Sequence, residues 1–221
     1  MIGIVFITFE GVEGSGKTTQ AGLLKDFLLQ KGYKVTLTRE PGWGAVGRLI
    51  RRMLLEEKEL DLDPLAELCL FCADRVQHVR DLIKPKLKKG EIVICDRYAD
   101  STVVYQGYGR RLDLDLVRKL AKASTLNLQP RLTFLFNLPV KLGLSRLEKR
   151  AGKTKMDEES LEFHERIRQG YIFIAQKEPE RIRIINAARD IGEVQEEIRR
   201  IVLEYLPKPD SRLGSKEDRD N

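Results

Sequence analysis

Five short apolar, β-branched runs recur along the chain with helical patterning between them. This alternation narrows the possible folds more than any other feature. The runs are IVFITF (4–9), KVTLT (34–38), EIVICD (91–96), RLTFLFNL (131–138) and RIRIIN (181–186). Runs apolar on both faces, with helices between them, predict a parallel sheet covered on both sides. The expected fold class is therefore α/β: a doubly wound, five-stranded parallel sheet flanked by helices.

Punctuation residues bound the helices. Gly32 suits the position just past the first helix. Asp63-Pro64 supplies an N-cap and a first-turn proline for a long helix through the low 80s, which Pro85 should kink or stop. Asp113 caps LDLVRKLAKAS, and Asp190 or Gly192 opens a last helix to about Leu206. With 221 residues, 42% of them apolar, the chain suits one well-cored domain, expected over 1–207. The tail 208–221, KPDSRLGSKEDRDN, has one leucine and no aromatic residue and is expected to be disordered.

The first run leads into Gly11-Val12-Glu13-Gly14-Ser15-Gly16-Lys17-Thr18, the spacing of a phosphate-binding P-loop between a strand and a helix. Its glycines turn backbone N–H groups toward phosphate oxygens, and the following helix adds its positive N-terminus. Lys17 is placed to reach the β and γ phosphates of a nucleotide, and the Thr18 hydroxyl to face Mg²⁺. Asp96, ending the third run, is the second candidate for Mg²⁺ or, read alone, a strand-end cap. The carboxylate of Glu13 stands in the middle of this anion-binding loop and needs a reason.

A P-loop indicates nucleotide binding and leaves the reaction open. The N-K-x-D and D-x-x-G strings of GTP-binding switches are absent from the sequence. LFCADRVQHV (70–79) puts Phe71 and Arg75 four residues apart on one helix face, an aromatic surface and a guanidinium able to hold a base. CDRYADSTVVYQG (95–107) adds Arg97, Ser101, Thr102, Tyr105 and Gln106 where doubly wound sheets bind ligands. Basic residues Arg146, Arg150, Lys153 and Lys155 crowd LSRLEKRAGKTKMDEES (144–160). This is either a solvated charged face or a lid that excludes water from a transferring phosphate.

With FEGVEGSGKTTQ, TREPG, LFCADRVQHV, DRYADSTVVYQG, PRLTFLFNLPVKLGLSRLEKR and FHERIRQGY in order over roughly 5–205, the chain resembles the bacterial thymidylate kinases, within the nucleoside monophosphate kinase group of P-loop proteins. The resemblance implies phosphoryl transfer from ATP to dTMP giving dTDP and ADP, Mg²⁺ dependence and a homodimer. It also implies roles by position. Phe71 stacks on thymine, Arg75 bonds the base edge, and Thr102 and Gln106 sit near the base. Tyr105 packs beside the sugar, Arg97 bridges toward the phosphates, and Arg51 lies near the acceptor phosphate. Glu13 then points across the cleft to the sugar 3′-hydroxyl rather than at the triphosphate. A basic residue of the lid completes the catalytic set, either Lys155, aligned with the family's usual arginine, or Arg150.

The match fails locally. REPGWGAVGR (39–48) replaces the family's REPGGT followed by GE, and Asn137 stands where an aspartate is common. Trp43 either walls the base pocket or packs on the end of the sheet. A kinase for another pyrimidine or deoxynucleoside monophosphate, or a non-catalytic nucleotide-binding module, remains an alternative.

Charge and cysteine content bound the partners. The net charge of +6 and the pI near 9.2 suit anionic ligands, but acids and bases are interspersed, so nucleic acid is not expected as a partner. Three cysteines, including Cys69-x-x-Cys72, give no disulfide framework and fit a reducing cytoplasm. No apolar run is long enough for a membrane span, and MIGIVFITF is too short and lacks the basic start of a signal peptide.

Overall fold

The computed structural model describes residues 5–148 and 152–206. Arg150 and the tail 208–221 lie outside the described residues. The strands are β1 (Phe6–Gly11), β2 (Val35–Arg39), β3 (Ile92–Asp96), β4 (Leu132–Asn137) and β5 (Ile182–Asn186). They pair in parallel in the order β2-β3-β1-β4-β5. The five apolar runs are these five strands. The central strands β1, β3 and β4 are buried almost throughout. The edge strands β2 and β5 are apolar runs that are not covered on both faces as expected: Leu37 and Ile184 are exposed.

Period-two alternation sends side chains of β1 to two cores. Ile7 and Phe9 enter the larger one, where the Phe9 ring lies 5.4 Å from both Phe134 and Phe136. Phe6 enters the smaller one with Val79, Ile83, Val93 and Tyr98. Each of these fully buried rings contributes roughly 2–3 kcal/mol of transfer free energy.

The helices are α1 (Lys17–Gln30), α2 (Gly44–Arg51), α3 (Pro64–His78), α4 (Lys84–Lys88), α5 (Ala99–Thr102), α6 (Leu114–Ser124), α7 (Val140–Glu148), α8 (Leu161–Lys177) and α9 (Ile191–Tyr205). Three caps form as expected. Asp63 accepts from the Leu65 N–H, Asp113 from Leu116 and Asp190 from Gly192. Gly32 adopts φ 83°, the left-handed exit from α1.

Pro85 does not stop the long helix. A π-helical turn, Val79–Ile83, follows α3 and hands over to α4, with Pro85 in the first turn of α4. The wide turn carries the hydrogen-bond ladder past the N–H that proline lacks. Such turns also follow α2, at Arg52–Glu56, and α5, at Val103–Gly109, the latter carrying Tyr105 and Gln106. Turns of this kind often occur at functional sites.

Glu10 ties three elements together from inside the sheet. Its carboxylate accepts from the Tyr98 N–H (2.7 Å), Ser101 Oγ (2.6 Å) and the Tyr171 hydroxyl (2.8 Å). Burial, reinforced by the nearby Asp100 charge, pushes its pKa up to about 7 despite Arg97 and these donors. Between its ordinary value of 4.5 and about 7 the folded chain holds a proton that the unfolded chain has released. This contribution to stability is therefore present below pH 4.5 and is lost as pH rises toward 7. Urea unfolding across that range should show a shallower loss of stability for Glu10→Gln than for the parent. Parallel profiles would show that Glu10 is ionised throughout.

Candidate active site

The phosphate end is built by backbone conformation. Gly11, Gly14 and Gly16 adopt φ of 141°, 69° and 88°, which side chains other than hydrogen rarely permit. A Cβ on Gly14 would also lie 2.2 Å from the Gly143 carbonyl oxygen, so loop and α7 meet backbone to backbone. Gly16 precedes α1 without a side-chain cap. Lys17 Nζ donates to the Val12 carbonyl (2.8 Å) and to Ser15 Oγ (3.2 Å). Burial, then the neighbouring Arg97 charge, lowers its pKa to about 8 against the pull of Asp96, Glu13 and Glu10.

Register brings the two candidate metal ligands together. Phe9 pairs with Asp96 across β1 and β3, which sets the end of β3 beside the loop. There the Thr18 hydroxyl donates to the Asp96 carboxylate.

The middle of the site is an ion pair. Arg97 has φ 74°, a left-handed conformation that costs a non-glycine residue roughly 1–3 kcal/mol. Its side chain is held from several sides. Nη1 donates to the Gly11 carbonyl (3.1 Å), Ser101 Oγ and the Tyr171 hydroxyl (both 3.2 Å), and Nη2 to Glu13 Oε1 (2.9 Å). The guanidinium lies 4.9 Å over the Tyr105 ring. Tyr105 also donates its hydroxyl to Glu13 Oε1. Glu13 thus turns toward Arg97 and Tyr105. Burial would raise its pKa, but Arg97, His164, Lys17 and Tyr105 together leave it at about 2.

The far end is a second polar network. Arg75 is only 2% exposed, and the protein takes up three of its N–H groups: Nε to Glu40 (2.8 Å), Nη1 to Ser124 (3.3 Å) and Nη2 to the Tyr98 carbonyl (3.1 Å). A guanidinium has five N–H donors, so two remain. Glu40 Oε1 also meets His78 Nδ1 at 2.9 Å, and His78 Nε2 meets Thr38 Oγ1 at 2.8 Å. The His78 ring stacks on Trp43, centroids 5.6 Å apart. Trp43 therefore packs against this network and does not line the cavity.

Glu40, His78 and Cys95 offer donor atoms within 4.8 Å of one another. Both imidazole nitrogens are engaged and Glu40 is paired with Arg75, while burial pushes the Cys95 thiol well up. That donor set is a hydrogen-bonded core rather than a metal centre.

A cavity of about 470 Å³ joins the three parts, lined by the P-loop, by Arg97 and Tyr105, and by Phe71 and Arg75. Thr102 and Gln106 also line it. Thr102 is buried with its hydroxyl unpartnered, and Gln106 donates to Glu67 (2.9 Å). Arg51 reaches it while donating to the Pro41 carbonyl (3.0 Å).

Of the lid candidates, Lys155 is placed differently from expectation, while Arg150 lies outside the described residues. Lys155 begins a short 3-10 turn, Lys155–Glu158, and donates to the Leu60 carbonyl instead of lining the cavity. The reason is local. Thr154 and Asp157 form a capping box that fixes the turn, and Met156 takes the inward position. Arg146 does line the cavity, and its Nη1 donates to the Gly14 carbonyl of the P-loop (3.3 Å) and to the Ala187 carbonyl (3.4 Å).

Sequence reasoning gave no role to Glu40, His78 or His164. Glu40 and His78 do stand inside TREPG and LFCADRVQHV, but their contact spans 38 positions and no local spacing announces it.

Comparison with known proteins agrees with this geometry. Residues 9–198 match the family model described as thymidylate kinase. A thymidylate kinase of Desulfovibrio desulfuricans is 47% identical over 209 residues, covering 91% of this chain and 96% of that protein. One from a Geobacter species (strain M21) is 46% identical, covering 88% and 91%. Among solved structures, thymidylate kinase from Ehrlichia chaffeensis superimposes with a TM-score of 0.73 at 37% identity, covering 90% of this chain and 98% of that one. The chain belongs to the thymidylate kinase family.

Proposed function

We propose a division of labour for the reaction of this family, in which ATP and dTMP give ADP and dTDP. One observation carries it: a single cavity runs from the P-loop, past the Arg97–Glu13 pair, to Phe71 and Arg75. A donor nucleotide and an acceptor monophosphate then meet end to end. In-line phosphoryl transfer needs that alignment above all.

The P-loop backbone and Lys17 hold the β and γ phosphates of ATP. Lys17 leaves Val12 and Ser15 to do so. Thr18 and Asp96 would hold Mg²⁺, since a hydroxyl and a carboxylate in contact offer the hard oxygen ligands this cation takes. Held there, Mg²⁺ would supply positive charge to offset that of the β and γ phosphates.

Arg97 serves the acceptor phosphate, with Arg51 on the other side of it. Phe71 stacks on thymine, and the two remaining Arg75 donors face its edge beside Thr102 and Gln106. Tyr105 closes the space beside the sugar. Glu13, ionised, accepts the 3′-hydroxyl. Its link to Arg97 and Tyr105 supports this reading and answers why an acid sits in an anion-binding loop.

Arg146 is the basic residue at the transferring phosphate, supported by its contact with Gly14. Exposed Val46, Leu49 and Met53, on and just beyond α2, stand with Leu65 and Val76 on the packed neighbour α3, and this supports a homodimer through that face. Free cysteines support a cytoplasmic setting, and among the described residues no helix is long and apolar enough to cross a membrane.

ADP release with ATP·Mg²⁺ should be fast with dTMP, weaker with dUMP and negligible with UMP, CMP, AMP and GMP. Equal turnover of a ribonucleotide would refute the sugar and base pocket. The dUMP difference should be modest, because one methyl group is worth only about 1–3 kcal/mol.

In the same assay Arg146→Ala should lower kcat on the order of 100-fold, the scale of a lost charge-stabilising donor, while Lys155→Ala stays near the parent. The reverse order would return the role to Lys155. Leu49→Glu should convert the protein from dimer to monomer in light scattering, and an unchanged mass would remove this face from the interface.

A further inference from the structure

His164 lies in the first turn of α8, whose N-cap Ser160 accepts from the Phe163 N–H. The imidazole is 1% exposed and does not line the cavity. Neither ring nitrogen has a hydrogen-bond partner of good geometry, an arrangement that is costly for a buried polar group. The charged group facing it is Glu13. His164 Nδ1 stands 3.3 Å from Glu13 Oε2.

Glu13 Oε2 is itself buried and unpartnered, whereas Oε1 takes both Arg97 and Tyr105. Two orphaned atoms of complementary kind therefore face each other across one short gap. A carboxylate oxygen has lone pairs for two donors. Oε2 can therefore accept the imidazole N–H while Oε1 stays with Arg97 and Tyr105.

We propose that His164 is a positioning residue for Glu13. Its Nδ1–H holds Oε2, the fully buried oxygen, so that the carboxylate keeps the edge shared with Arg97 and Tyr105 toward the 3′-hydroxyl of the acceptor nucleotide. His164 touches no substrate and acts through Glu13 alone. Arg97 and Tyr105 fix one oxygen, and rotation about the remaining torsion is what His164 stops. The inference rests on the reading that Glu13 accepts the 3′-hydroxyl.

The test uses two acceptors, dTMP and its 3′-deoxy analogue, and reads the ratio of their kcat/KM values. A change in folding or general activity moves both numbers together and leaves the ratio alone. Glu13→Gln checks the underlying reading: the ratio should fall, and an unchanged ratio would refute the 3′-hydroxyl role and the inference with it. His164→Phe keeps a ring but no donor. Its ratio should fall about tenfold, the factor carried by one hydrogen bond to a charged group.

Two amides separate donor position from polarity. His164→Asn places an N–H near the Nδ1 position and should restore the ratio, and His164→Gln places it near Nε2 and should not. The amide pair decides the matter even if the phenylalanine variant fails to fold. A fall in Glu13→Gln together with equal ratios in His164→Asn and His164→Gln would overturn the proposal while leaving the role of Glu13 intact.

Discussion

Much of the site depends on the ion pair between Arg97 and Glu13. Arg97 leaves β3 in a left-handed conformation that an arginine adopts only under constraint. The constraint is visible: a P-loop carbonyl, two hydroxyls, an aromatic face and a carboxylate all engage one guanidinium. Because the Glu13 carboxylate and the Gly11 carbonyl belong to the loop, the pair also locks the phosphate end to the end of β3. Loss of either charge would leave its partner with hydrogen bonds but without its close counter-charge in a largely enclosed site, which costs more than the pair itself contributes.

Around that pair the site is a chain of polar contacts with few loose ends. Glu10 joins β1 to α5 and α8 behind Arg97, while Glu40 joins Arg75 to His78 and Thr38 at the far end. Polar networks of this kind are costly when incomplete and rigid when satisfied. Rigidity is useful here, since phosphoryl transfer draws most of its acceleration from alignment. Among the described residues the buried side-chain atoms left unpaired are Thr102 Oγ1, Glu13 Oε2, both His164 nitrogens and Arg166 Nε.

The fold was largely legible because strands buried on both faces and capped helices are local signals. The five runs became the five strands, and Asp63, Asp113 and Asp190 capped as read. Of the two outcomes expected at Pro85, the stop did not occur, because a widened turn at Val79–Ile83 carries the chain on into α4. The P-loop, Asp96, Phe71, Arg75, Arg97 and Tyr105 were legible as motifs, and they line one cavity. Glu40, His78 and His164 were not, since their meaning lies in contacts made only when distant strands and helices pack. Lys155 aligned by position in the string, but a capping box turned it outward.

The close approach of Gly14 and Gly143 limits how the molecule can move. A Cβ on Gly143 would lie 2.5 Å from the Glu13 carbonyl oxygen, so the start of α7 is seated on the P-loop with no room to slide. Val140 through Leu147 belong mechanically to the phosphate-binding body, with Arg146 fixed on it. The two basic groups of this region therefore answer to different bodies: Arg146 is held on the P-loop carbonyl of Gly14, and Lys155 on the carbonyl of Leu60.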